Sequence, residues 1–137
     1  MNKTLMRLAI VLMISLSALA ESRPAWFGMR VAPVRQGRPG SPIVTLLVRN
    51  VTPGGPAESA GIRAGDLIVM LDAKAFSFRN ERAMMDYFRA VRPAQRLRIA
   101  AVRGQQRMEL VLVPQEMDDE QYELWRKEMS RASAASN

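Results

Sequence analysis

A serine hydroxyl becomes a nucleophile only when a neighbouring base takes its proton. Ser59 and Ser77 are the candidates, and the 137-residue chain contains no histidine to serve either one. The same absence removes the commonest zinc ligand. There is no cysteine, so thiolate chemistry and a disulfide framework are both excluded. A Ser–Lys pair would need a desolvated lysine, whereas Lys74 and Lys127 sit in polar company. Asp66 and Asp72 fall at the ends of an apolar run, where Asp66 is better suited to holding a turn than to holding a metal. Side-chain catalysis, a metal and a cofactor are therefore not expected.

The elements that would have to position any site begin after a targeting segment. Lys3 and Arg7 form a positive start, Leu8 to Leu19 is an almost unbroken apolar run, and Ala18-Leu19-Ala20 fits the small-x-small rule. Residues 1–20 thus read as a signal peptide cut after Ala20, because a dozen apolar residues are short of the roughly 20 that a bilayer span needs. The expected location is outside the cytoplasm. What remains, about 117 residues, has room for one core and not for two domains with a cleft between them.

Charge divides the mature chain. Residues 21–114 carry 15 Lys and Arg against 7 Asp and Glu, whereas residues 115–137 carry 3 against 6. A basic domain is followed by an acidic tail. The arginines are scattered over every expected element, and no aromatic series accompanies them to stack bases, which argues against nucleic acid. A solvated basic surface is the plain reading, and attraction to acidic peptides or peripheral contact with an anionic membrane is the alternative.

In chain order, Arg23-Pro24-Ala25 is an extended lead-in and Trp26-Phe27-Gly28-Met29 opens a strand over 29–34. By themselves, Trp26 and Phe27 read as core aromatics at a strand start. Arg35 to Pro42 has the composition of a mobile hairpin loop, and Ile43 to Val51 is a second strand. Thr52-Pro53-Gly54-Gly55 reads as a turn, Pro56 as the first residue of a brief helix, Gly61 as its left-handed C-cap, and Ala64-Gly65-Asp66 as a second turn before the strand Leu67 to Leu71. Ser77 or Asn80 can cap a helix reaching Val91-Arg92, with Met84, Tyr87, Phe88 and Val91 on one face at i, i+3, i+4, i+7. Residues 97–102 and 108–113 make a final hairpin. In the acidic tail, Met117, Gln121, Leu124, Trp125 and Glu128 give a partial stripe, consistent either with a docked helix or with a surface helix frayed at its Ser/Ala-rich end.

The order V-T-P-G-G-P-A-E-S-A-G-I-R-A-G-D-L-I-V-M-L-D over Val51–Asp72 closely resembles the signature of PDZ domains, in particular the form found in bacterial HtrA-type periplasmic proteases. The resemblance runs over roughly residues 25 to 114, without the protease domain that usually accompanies it. Asp72-Ala73 stands where the family usually has Asn-Gly, which leaves room for a turn of different construction. The implied fold is α+β, a small, mostly antiparallel β-sandwich or partial barrel capped by two helices. It occupies residues 21–114, with 115–137 as a partly helical tail.

The resemblance also implies a site. Trp26, Phe27, Gly28 and Met29 match a carboxylate-binding loop, in which successive backbone N–H groups converge on one anion, and this asks for a conformation and a closeness of approach that a Cβ obstructs. The implied groove adds Arg30, Val31, Met84, Tyr87 and Phe88, with Arg23 and Arg30 contributing positive potential. The implied function is a non-enzymatic, peptide-binding module that takes C-terminal or extended segments of other proteins by strand addition. An HtrA-like subtype places it in a bacterial periplasm, with a periplasmic protease or an envelope protein as partner. The alternative is a scaffold or assembly subunit whose groove is occupied by its own tail or by a neighbour.

Overall fold

A computed structural model describes residues 23–35 and 37–135. The expected signal peptide, with its cut after Ala20, lies outside the described residues.

Short apolar stretches supply the core. Leu46 and Val48 alternate along a strand, Ile68 and Leu71 lie in the apolar run after Asp66, and Leu97, Ile99 and Leu112 come from the last hairpin; all are nearly or fully buried. Removing such side chains from water contributes about 1.5–3 kcal/mol each. The strands that carry them are β1 (Ala25–Trp26), β2 (Met29–Val34), β3 (Thr45–Val51), β4 (Leu67–Leu71), β5 (Lys74–Ala75), β6 (Leu97–Arg103), β7 (Gln106–Leu112) and β8 (Gln115–Glu116). All pairings are antiparallel. The main sheet runs β2-β3-β4-β6-β7 with β5 on β4, and β1 pairs with β8 as a separate ribbon. β2 is an edge strand, and its register with β3 shifts between Arg30 and Val31.

β3 starts at Thr45, two residues after the expected Ile43. Ile43 is buried but pairs with Phe78 through two backbone hydrogen bonds of 2.7 and 2.9 Å, so it staples the loop before α2 instead of extending β3. The short helix α1 (Pro56–Ser59) has Gly55 as N-cap and Pro56 at its first position, as the turn chemistry predicts. α2 (Glu81–Ala90) is capped by Asn80, whose Oδ1 accepts from the Ala83 N–H at 2.9 Å. Asp66 is 1% exposed and closes the turn behind α1. Its carboxylate accepts from the Arg63 N–H at 2.8 Å and, bidentately, from Arg103 Nε and a terminal nitrogen at 2.9 Å each.

The Asp72-Ala73 turn keeps the left-handed geometry that Asn-Gly would supply. Asp72 has φ 53° and Ala73 φ 59°, and Leu71 pairs directly with Lys74, so this is a two-residue hairpin turn built from costlier residues. Ala73→Gly is accordingly expected to stabilise the protein by about 1 kcal/mol, seen as a higher urea midpoint with an unchanged slope.

α3 (Asp119–Ala135) forms the tail. A reciprocal capping box starts it: Gln121 N–H donates to Asp118 Oδ1 at 2.8 Å and Asp118 N–H donates to Gln121 Oε1 at 3.0 Å. The helix continues through the Ser/Ala-rich stretch to Ala135, where alanine's propensity outweighs the serines. The two helices expected on the domain are α1 and α2, and α3 is the helix of the tail.

Candidate functional site

The loop Trp26-Phe27-Gly28-Met29 joins the ribbon strand β1 to the edge strand β2. Its carbonyls are tied down from behind: Ala57 N–H donates to the Phe27 carbonyl at 3.0 Å and Thr52 N–H to the Gly28 carbonyl at 2.8 Å. The N–H groups of Phe27 and Gly28 find no acceptor among the described residues. Two adjacent donors held by fixed carbonyls form the kind of backbone concavity that receives an anion.

Gly28 is held here in a conformation that needs a glycine, and against a neighbour that the sequence does not announce. Its φ is 68°, which disfavours any side chain, and an added Cβ would stand 2.8 Å from Pro56 Cδ and 3.2 Å from Gly55 Cα. The obstruction falls on the turn before α1, not on the space an anion would fill. The glycine lets loop and turn pack backbone to backbone.

Beside the loop, β2 and α2 wall a cavity of about 860 Å³. Trp26, Phe27, Met29, Arg30, Val31, Met84 and Phe88 all line it, as the resemblance implies. Phe27 and Phe88 meet edge to face at 5.3 Å, which fixes the loop's aromatic ring against α2. Tyr87 does not line the cavity. It sits one position round the helix, packed on Phe78 at 5.6 Å and on Phe88 at 5.4 Å, where burial pushes its phenol above the ordinary pKa. Arg23 is also off the cavity wall. Its guanidinium is taken by Asp119 at 2.7 Å, donates to the Met117 carbonyl at 3.3 Å and covers the Tyr122 ring at 4.9 Å. Both loop-side arginines pair with the tail, Arg30 with Glu128 at 3.2 Å, but of the two Arg30 lines the cavity.

Several lining residues were not anticipated. Asn50, Val51, Thr52 and Pro53 contribute from the end of β3 and the turn after it, and Met85 and Arg89 extend the α2 wall. Pro24 and Ala25 add to the loop side, and the remaining wall comes from the tail: Met117, Gln121, Leu124, Trp125 and Glu128. This is the partial stripe seen in the sequence, and the structure turns it toward the cavity.

Comparison with known proteins gives this arrangement a family. Residues 47–103 match the PDZ domain family. The serine endoprotease DegS of Salmonella typhimurium is 32% identical over 91 residues, which cover 65% of this chain and 25% of DegS, so the chain spans about a quarter of the length of that curated relative. Among solved structures, the HtrA-type protease AlgW with decapeptide aligns with a TM-score of 0.58 at 22% identity, covering 82% of this chain and 35% of AlgW. The HtrA3 PDZ domain bound to a phage-derived ligand aligns with a TM-score of 0.51 at 18% identity, covering 68% of this chain and 86% of that domain. Sequence and fold together make residues 47–103 part of a PDZ domain related to those of the HtrA-type proteases.

Proposed function

We propose that the groove between β2 and α2 takes the C-terminal segment of a partner protein as a strand added to the edge of β2. Its carboxylate is received by the N–H groups of Phe27 and Gly28. The observation that carries this reading is the pair of unpaired donors beside an apolar cavity, with the carbonyls of the same residues already bonded elsewhere. Two related folds were solved with peptide ligands, which supports the same use here. The terminal side chain packs against Met29, Met84 and Phe88. Two methionines among these three make the pocket tolerant of shape, so an apolar terminus matters more than its outline. The chain acts by binding, since its serines have no histidine beside them. The Met1–Ala20 segment exports it, and periplasmic proteases and envelope proteins are the natural sources of ligand.

The test is fluorescence anisotropy of labelled peptides ending in Val or Phe, each as free acid and as amide. Charge-assisted hydrogen bonds at about 1.5–3 kcal/mol each predict that amidation weakens binding about a hundredfold. Equal binding of acid and amide would remove the carboxylate from the reading and leave a groove filled by the chain's own tail or a neighbour.

A further inference from the structure

α3 lies across the mouth of the groove. Glu128 Oε1 is 3.2 Å from the Arg30 guanidinium on β2, and the next residue, Met129, places its Sδ 3.5 Å from Arg89 on α2. Adjacent residues of one helix therefore touch both walls. Nearer its start, Asp119 holds Arg23 at 2.7 Å.

Between these points Leu124 and Trp125 line the cavity without being seated in it. Leu124 is 56% exposed, α3 has no buried residue, and about 860 Å³ stays open beneath. The helix is thus held mainly by ion pairs whose partners reach solvent, contacts that are weak and screened by salt. A 17-residue helix released from its neighbours is marginal in water.

Resting on the reading of the groove as a peptide site, we infer that α3 is a resident lid which a ligand displaces, and that the segment best able to displace it carries carboxylates ahead of an apolar C-terminal residue. Such a segment repeats the chemistry of the lid. Its upstream carboxylate takes Arg30 from Glu128, and its terminal side chain enters the apolar space that Leu124 and Trp125 only cover. A segment with lysines in the same places meets Arg30 and Arg89 as like charges.

The experiment combines hydrogen exchange of residues 119–135 with peptide anisotropy, using the full chain and two peptides that end in Val and carry either Glu or Lys upstream. Asp119→Asn with Glu128→Gln loosens the lid's ends, and Glu123→Pro breaks the helix while keeping both acids. Both variants leave the β1–β2 loop, β2 and α2 unchanged, and unchanged exchange in β3, β4 and β6 shows that the domain stays folded. In both variants α3 is expected to exchange at least about tenfold faster and the Glu peptide to bind about three- to tenfold tighter. In the natural sequence the Glu peptide is expected to bind about tenfold tighter than the Lys peptide and to speed exchange in α3.

Slower exchange in α3 on adding peptide would make the helix a clamp and overturn the lid. Variants that loosen α3 but bind the Glu peptide no more tightly would overturn it too. Equal affinity for the two peptides would overturn the ligand chemistry. If no protein binds either peptide while the variants still loosen α3, the groove reading itself falls and the lid with it.

Discussion

Gly28→Val is expected to destabilise the protein by about 2–5 kcal/mol and to cut peptide affinity at least about a hundredfold in whatever remains folded. Two costs add. A β-branched residue at φ 68° is strained whatever surrounds it, and its Cβ would fall 2.8 Å from Pro56 Cδ, 3.1 Å from Pro56 N and 3.2 Å from Gly55 Cα. None of these is the tip of a flexible side chain. The loop and the 52–57 turn must separate, which breaks the bonds that fix the Phe27 and Gly28 carbonyls and lets the two N–H groups wander. Urea denaturation measures the first effect and anisotropy with a free-acid peptide the second. Natural stability together with natural affinity would show that the backbone packing at Gly28 does not hold the loop.

The second large effect is expected at Asp66. Asp66→Ala should cost about 3 kcal/mol, because it removes the buried partner of a half-buried pair and strands the Arg63 N–H and the inner face of Arg103. Arg103 also donates to the Gly61 carbonyl at 2.8 Å, so the whole 61–66 turn loosens from the end of β6. The pH dependence follows from the same geometry. Hydrogen bonds from Arg103, then the Arg63 N–H, hold the carboxyl below its ordinary value against the opposing effect of burial. A depressed carboxylate pKa stabilises the fold in full above the unfolded value of about 4, and the contribution is lost as pH falls through the lowered native value. The natural protein should therefore lose stability on acidification below about pH 4 more steeply than Asp66→Ala does. Parallel stability profiles for the two proteins in that window would rule out Asp66 as the group responsible.

The stretch Val51–Asp72 could be read from the sequence because its constraints are local. Pro56 at a helix start, Gly61 and Gly65 at positive φ, and the apolar run Leu67–Leu71 each depend on a few neighbouring residues. The site was legible in part. Trp26, Phe27 and Met29 line the groove, but the contact of Gly28 with Pro56 was hidden, since it is made only once the chain folds back. Tyr87 and Phe88 could not be separated, because one residue is a rotation of about 100° around a helix and the register beside the groove was not fixed. The path of α3 was the least legible feature. It is set by side-chain tips such as Arg30 and Glu128, 98 residues apart, and by a stripe too polar to announce a docking face.

A sheet edge is a template on which another chain can pair, and proteins in concentrated compartments must keep such edges covered. Apart from the two-residue β5, the main sheet has two here. β7 presents Arg107 and Glu109 along its exposed face, charges that discourage a flat hydrophobic partner, whereas β2 offers Val31, Ala32 and Val34, interrupted by Pro33 and preceded by Arg30. Across the mouth of that second edge stands α3, tethered by Glu128. The same helix that a ligand must move thus also stands between β2 and the edge strand of a second copy, so that the edge becomes available for pairing only while something else is there to occupy it.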